Sequence, residues 1–340
     1  KGTHSVGVAR QYSGTLGRVD NCQIAVSLHL AGQRGSGCIA MRMYLTEQWA
    51  EDTKRRNAVG VPLDVRFQPK WDLALDQLDT ALASGIRRHP VLADAGYGDA
   101  TEFRSGIATR GLHYVVGVSS VPTIWRPGVI PSVTRRHATG PHPTRPRAAE
   151  HPVSLSTFVQ EIPATQFRSV TWRDGSRGKM SGRFYAVRVY SAERHTKKER
   201  PQTEPIWLVI ERTGDAKRPF KFFFSNLPES TSLKRLVALI KLRWRVERDY
   251  QEMKQELGLD HFEGRTWRGF HHHATLCAIA HGFLALRRAL SPPILPSVDL
   301  AAGSPLSPDS AHTSQRPLPP LPHLHRPQNC SQRTLENVIR

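Results

Sequence analysis

Between Ser5 and Leu45 the apolar positions fall in short stretches, SVGVARQY, CQIAVSLHLA and CIAMRMYL, separated by the glycine-rich SGTLGRVDN and GQRGSG. Short apolar runs bounded by such turns read as strands, here a meander with Asp20 in its first turn. The period then lengthens. WDLALDQLDTAL, residues 71–82, returns Trp71, Leu75, Leu78 and Leu82 to one face at helical spacing. RHPVLADAGYG reads as a short buried strand ending at Asp94, DATEFRSGIATRG as a capped helix exposing Glu102 and Arg104, and HYVVGVSS as a further buried strand. Strands, helix, strand, helix, strand imply crossovers onto one sheet, so the pattern predicts an α/β fold.

From Val121 to about Pro152 the periodicity disappears into Pro, Arg, His and Thr, as in RRHATGPHPTRPRAAEHP, which predicts a mobile basic loop. FRSVTWRDG, GRFYAVRVYSA, EPIWLVIER and KFFFSNLP then form a second group of strands between Phe167 and Pro228. A single long helix is predicted next, from the cap candidates Ser230, Thr231 and Ser232 to Gly258, with Leu239, Leu242, Val246, Tyr250, Met253 and Leu257 on its apolar face. A last helix, roughly 273–290, is apolar on most sides and is predicted to be buried. After Ser291, PPILPSVDLAAGSPLSPDS and RPLPPLPHLHRPQ predict disorder. The chain divides into the first part of a core (1–120), a basic loop with a β-rich insertion (121–229), the second part of the core with the long helix (230–290) and a Pro-rich tail (291–340).

Charge narrows the partners. Lys and Arg total 48 against 29 acids, a formal charge of +19 with a pI near 10.4, which suits a polyanion such as nucleic acid. No apolar run approaches the ~18 residues of a membrane span, and the first residues show no signal-peptide hydrophobic region. The expectation is a cytoplasmic protein with no membrane partner. Cys22, Cys38, Cys277 and Cys330 make no CxxC pair and no dense framework, and read as reduced thiols, three of them buried.

Two carboxylates carry the candidate chemistry. Asp94 stands at the C-terminal end of a buried strand, where ligands bind in open α/β sheets, although aspartate is also an ordinary cap there. On the long helix Arg243, Glu247 and Lys254 fall within about 40° of one another, since offsets of four and seven residues return side chains to one face. Alone, that trio reads as a solvated face with an ion pair worth roughly 0.3–0.5 kcal/mol. If the helix packs beside the strand, Asp94 and Glu247 approach one metal, with Arg243 and Lys254 flanking it as phosphate clamps, the arrangement that metal-assisted phosphodiester chemistry requires. Other candidates are weaker. His271, His272 and His273 point about 100° apart on a helix and cannot chelate one ion together. Trp125 in TIWRPG is a candidate for stacking on an unpaired base, although a lone Trp beside a loop more often covers a core edge. Asp249, Glu252 and Glu256 face other sides of the helix and read as solvated, whereas Asp260 and Glu263 in LGLDHFEGR read as capping or orienting the site's neighbourhood.

RWRVERDYQEMK resembles the C-terminal signature of bacterial insertion-sequence transposases of the DDE superfamily, the branch marked by a Y-R-E-K pattern. Arg243, Glu247 and Lys254 match it, while Ile240 stands at the tyrosine position. SVGVARQYSGTLGRVDNCQ, VLADAGYGDATEF and LGLDHFEGRTWRGFHHHATL agree in order, so the resemblance runs from about Ser5 to Leu290. It implies an RNase H-like mixed sheet flanked by helices, with a β-rich insertion before the last catalytic helix. It further implies Asp94 and Glu247 as catalytic metal ligands for Mg²⁺ or Mn²⁺, and Arg243, Lys254, Arg245, Arg10 and Trp125 as DNA contacts. The implied activity is cleavage at transposon ends and strand transfer into target double-stranded DNA, by a nucleoid-associated protein that pairs as a homodimer in a synaptic complex. The family's first catalytic Asp lies just upstream of the segment resembling KGTHSVGVARQY, and this sequence starts at Lys1. The expectation is therefore an N-terminally truncated copy, its Pro-rich end frameshifted relative to the family's helical, basic one. The alternative is a non-catalytic DNA-binding remnant.

Overall fold

In the computed structural model, which describes residues 2–13, 17–132, 148–175, 178–193, 204–290 and 335–339, the opening meander becomes two hairpins. β1 (Ala9–Ser13) and β2 (Arg18–Cys22) form a separate two-stranded sheet. Asp20 thus lies in a strand opposite Gln11 rather than in a turn, because Gly17, at φ +66°, takes the reversal and releases Arg18–Cys22 to extend. β3 (Ala25–Gly32) and β4 (Ser36–Met43) pair antiparallel at one side of the main sheet. α1 (Glu47–Glu51), α2 (Thr53–Ala58) and α3 (Lys70–Ala83) follow, then β5 (Val91–Ala93), α4 (Ala95–Gly98), α5 (Thr101–Thr109) and β6 (Tyr114–Val118). β5 and β6 run parallel, as the crossover pattern predicts.

The second group of strands continues this sheet. After β7 (Thr123–Trp125), β8 (Val153–Ser154) and α6 (Leu155–Phe158) come β9 (Arg168–Gly175), β10 (Gly178–Ser191), β11 (Ile206–Arg212) and β12 (Phe220–Ser225), and β12 pairs antiparallel with β6. α7 (Leu233–Leu242), α8 (Trp244–Gln255) and α9 (Trp267–Leu290) precede β13 (Leu335–Ile339). The sheet order is β4-β3-β13-β5-β6-β12-β11-β10-β7-β8, with β9 on β10. β13 lies antiparallel to β3 and parallel to β5, so one piece of the Pro-rich region is a strand. The stretch LENVI has no proline, and the gap between β3 and β5 offers it hydrogen-bond partners on both sides. Residues 133–147 of the predicted basic loop and the rest of the tail lie outside the described residues, and within the described part of that loop Thr123–Trp125 is the strand β7.

Alternation along the strands divides the core between the two faces. Val91, Ala93 and Val116 face the cluster that includes Leu75, Leu78, Phe103 and Ile107 of α3 and α5, whereas Leu92 and Val115 face Leu236, Leu239, Ile240 and Val246 of α7 and α8. Each Val, Leu, Ile or Phe side chain among them contributes about 1.5–3 kcal/mol on burial. Helices on both faces of a mixed sheet give the RNase H-like layout that the resemblance implies. No helix among the described residues is long and apolar enough to cross a membrane.

Four local expectations are corrected. The long helix is two, α7 and α8, parted at Arg243, where the Val246 N–H turns back to the Arg243 carbonyl, an i→i+3 bond that tightens the chain. Arg104, expected in solvent, is buried against Glu193 and over the Phe224 ring, its charge matched by that carboxylate. Trp125 lies in β7 opposite Tyr190 and is buried, so its ring faces no solvent. α9 buries only Ala274, Cys277 and His281 and leaves much of its apolar surface in water.

Candidate active site

VLADAGYG works by close approach. Asp94 caps the one-turn helix α4, its Oδ1 accepting the Gly96 N–H at 2.9 Å. α4 lies so near β6 that a Cβ on Gly98 would stand 1.9 Å from the Gly117 carbonyl oxygen. Only glycine permits that contact, and it fixes Asp94 at the C-terminal edge of β5. From the other direction α8 begins at Trp244 and places Glu247 one turn in.

Asp94 and Glu247, separated by 153 positions in sequence, line one cavity of about 820 Å³. Arg243 lines it too and pairs with Glu247 Oε1 at 2.7 Å, the ion pair expected of an i,i+4 spacing. Glu247 Oε2 is buried without a hydrogen-bond partner. The remaining charged lining is Glu211, Lys217, Arg218, Lys221 and Lys241. Lys241 donates to Glu211 and packs over the rings of Trp172 and Phe184, while Glu211 Oε2 is a second buried oxygen without a partner. Trp244, exposed on the cavity wall, stacks with Arg173, whose guanidinium carbon lies 4.5 Å from the ring centroid. The half-buried Lys70 ammonium is held below its ordinary pKa by desolvation, which the charges of Cys22 and Asp94 oppose.

Sequence reasoning missed Glu211, Lys241 and Trp244. One signal was present for Glu211: in EPIWLVIER a carboxylate ends an otherwise apolar strand, and in the fold it is buried. Nothing in the sequence marked Trp244, which falls outside the apolar stripe.

The other expected contacts lie elsewhere. Lys254 is absent from the cavity lining and sits over the Tyr250 ring at 5.9 Å. Arg245 donates to the Gln33 carbonyl at 2.7 Å, and burial lowers its guanidinium pKa despite the neighbouring Asp249 charge. Arg10 is exposed on the β1–β2 hairpin. Buried Trp125 offers no face for a base. Asp260 and Glu263 border a different recess, beside Gly2 and Ser5.

Asp249 and Glu252, read as solvated, are buried. His29 Nδ1 lies 2.8 Å from Asp249 Oδ2, Ser36 donates to Oδ1, and Ser27 Oγ stands 3.0 Å from His29 Nε2. His281 Nε2 is 3.3 Å from Glu252, whose carboxyl burial alone would raise; hydrogen bonds from Arg248 and Arg288 outweigh that and lower it. The three consecutive histidines separate as predicted: His271 bonds Trp267, His272 receives Arg268, and His273 meets the Gly258 carbonyl. Cys38 and Cys277 are buried, Cys22 is partly exposed, and Cys330 is outside the described residues. Burial pushes the Cys38 thiol up to about 12.

Among the described residues, no three or more His, Cys, Asp or Glu side chains group closely enough to hold an ion. Mg²⁺, however, keeps several waters and takes one or two carboxylates together with substrate phosphates. Of the three acids on the cavity, Glu211 is engaged by Lys241, and the other two, Asp94 and Glu247, the latter with an orphaned oxygen, fit that demand.

Residues 1–179, more than half of the 340-residue chain, match the family model described as DDE superfamily endonuclease. The matched span contains Asp94 and ends before Glu247. No curated protein matches the chain.

Proposed function

This chain belongs to the DDE superfamily endonucleases, and on that premise we propose that it is a transposase of the Y-R-E-K branch, which cleaves phosphodiesters at an element's ends and transfers the freed strand into target DNA. Membership makes it a nuclease-type enzyme with DNA as substrate. Transposition is our reading of the site, and the observation that carries it is the shared cavity of Asp94 and Glu247.

In the proposed reaction, water attacks phosphorus and the 3′ oxygen leaves as a hydroxyl; that hydroxyl then attacks the phosphorus of a target phosphodiester and joins the target's 5′ phosphate, while the target's own 3′ oxygen leaves as a hydroxyl. Asp94 and Glu247 would hold Mg²⁺ or Mn²⁺. Such an ion, when bound, supplies Lewis-acid stabilisation of the phosphoryl charge and lowers the pKa of a coordinated water. Arg243, already at Glu247, balances its charge, and Lys217, Arg218 and Lys221 on the same cavity would add attraction for the DNA backbone. Exposed Trp244 replaces Trp125 as the aromatic that an unpaired base would meet.

A second reading, a DNA-binding protein without catalysis, is favoured by the lack of a three-carboxylate group among the described residues. One assay separates the two. Incubation with linear duplex DNA and Mg²⁺ or Mn²⁺ should give nicked product that disappears on chelation and in Glu247→Gln, with duplex binding retained. Binding without metal-dependent nicking by the unaltered chain would support the second reading.

A further inference from the structure

β13 is a central strand that arrives from far away in sequence. It lies between β3 and β5, in register with Gly32 to Leu28 on one side and with Val91 and Leu92 on the other. Residues 291–334 separate it from α9. Both walls of its slot are held without it. On β3, Gln77 of α3 donates to the Val26 carbonyl at 3.2 Å, Tyr250 of α8 donates to Ser27 Oγ at 2.9 Å, and His29 meets Asp249 at 2.8 Å. β4 adds its ladder with β3, Ser36 donates to Asp249, and α9 packs along β4. The opposite wall, β5, pairs with β6. α3 joins the two walls from one face: its Leu73, Leu75 and Leu78 share an apolar cluster with Val26 and Leu28 of β3 and with Val91 and Ala93 of β5.

We propose that the slot between β3 and β5 is a strand-acceptor site with residues 335–339 as its exchangeable occupant, and that occupancy steadies the end of β5 on which Asp94 stands. A strand flanked on both sides is recognised through its main-chain N–H and C=O groups, the source of affinity in β-augmentation. Five register positions on β3 against two on β5 make β5 the wall that it grips less. Release therefore leaves β3 and β4 on their helices and uncovers main-chain groups of the three-residue β5. β13 runs parallel to β5 toward the edge where Asp94 caps α4, so an empty slot loosens that carboxylate first. A connection as long as 291–334 sets an effective concentration on the order of millimolar, enough to keep the strand seated and low enough for a free peptide to compete. The exchange rests on the backbone registers, and only the consequence at Asp94 rests on the proposed catalytic reading.

Hydrogen exchange and peptide binding by the full chain test it. Val338→Pro removes a donor from the middle of β13 and should vacate the slot. Amides of β3 and β5 should then exchange at least about tenfold faster than in the parent, while those of β11 and β12 keep their protection. A labelled peptide with the sequence of residues 333–340 should bind the variant saturably and restore that protection. It should bind the parent at least about tenfold more weakly, because the tethered strand competes, and the same peptide with Val338→Pro should bind neither. Metal-dependent nicking should fall in the variant and return with the peptide. Unchanged exchange in β3 and β5, or a peptide that binds parent and variant alike, would overturn the proposal. Loss of protection across β11 and β12 as well would also overturn it, by making β13 an inseparable part of the core. Nicking indifferent to release of the strand would overturn its link to Asp94, whereas a parent that does not nick DNA would overturn the catalytic reading, with the amide and peptide results still deciding the exchange.

Discussion

Asp249 on α8 stands 2.8 Å from His29 on β3, both shielded from water. Two residues earlier on the same helix is Glu247, so the contact fixes the helix that carries the candidate ligand to the strand beside the gap that β13 fills. Tyr250 strengthens the attachment by donating to Ser27.

Removing one partner of a buried pair leaves the other desolvated and unsatisfied. Asp249→Ala strips both His29 and Ser36 of their acceptor, and should cost about 3–5 kcal/mol in urea unfolding. Glu247→Gln, whose ion pair with Arg243 is partly exposed, should change stability by less than about 1 kcal/mol. Equal costs at the two positions would refute the distinction drawn between a structural and a functional acid.

Gly98 faces backbone, not a side chain that can turn aside. Gly98→Ala must push α4 off β6, at a cost of about 1–3 kcal/mol or more, and shift Asp94 with it. Both the melting temperature and metal-dependent nicking should fall; an unaltered melting temperature would show that the close approach is not required.

Burial lowers the His271 pKa below its ordinary 6.5, helped by the Arg42 charge and opposed by the bond to the Trp267 carbonyl. The ring is neutral in that site: Nδ1 donates to Trp267 and Nε2 accepts the Met43 N–H. An unfolded chain takes up the proton first as pH falls, so the native state is fully favoured above about pH 6.5 and loses stability below it. His89, also depressed by burial, adds to the same window. Chemical denaturation between pH 8 and pH 5, values chosen on the order of one to two units either side of 6.5, should show this decline, and His271→Gln should flatten it without abolishing it. A slope identical in the two proteins would contradict the buried neutral assignment.

Much of this was legible in the sequence because local period and burial agree there. Helix 71–82 is found as Lys70–Ala83, and the apolar VLA before Asp94 is β5. The convergence of Asp94 and Glu247 followed once strand and helix were placed on the same sheet. What could not be read depends on partners distant in sequence. Whether Asp249 is solvated is decided by His29, 220 positions away, and whether Arg104 is exposed is decided by Glu193. The base-stacking role of Trp125 failed because its flanks, Pro122 and Pro127, suggest a loop, while its pairing with β10 draws it inside, as a tryptophan covering a core edge would be. The apolar character of α9 was visible, but apolarity alone does not say whether a face is covered.

The central claim is spatial: Asp94 and Glu247 share one ion. Fe²⁺ substituted for Mg²⁺ and treated with peroxide and ascorbate generates hydroxyl radicals that cut the nearest backbone. The account predicts two cuts in the full chain, near residues 94 and 247, both lost in Asp94→Asn and both lost in Glu247→Gln. Cutting at one place only, or a cut at 247 that survives Asp94→Asn, would contradict it.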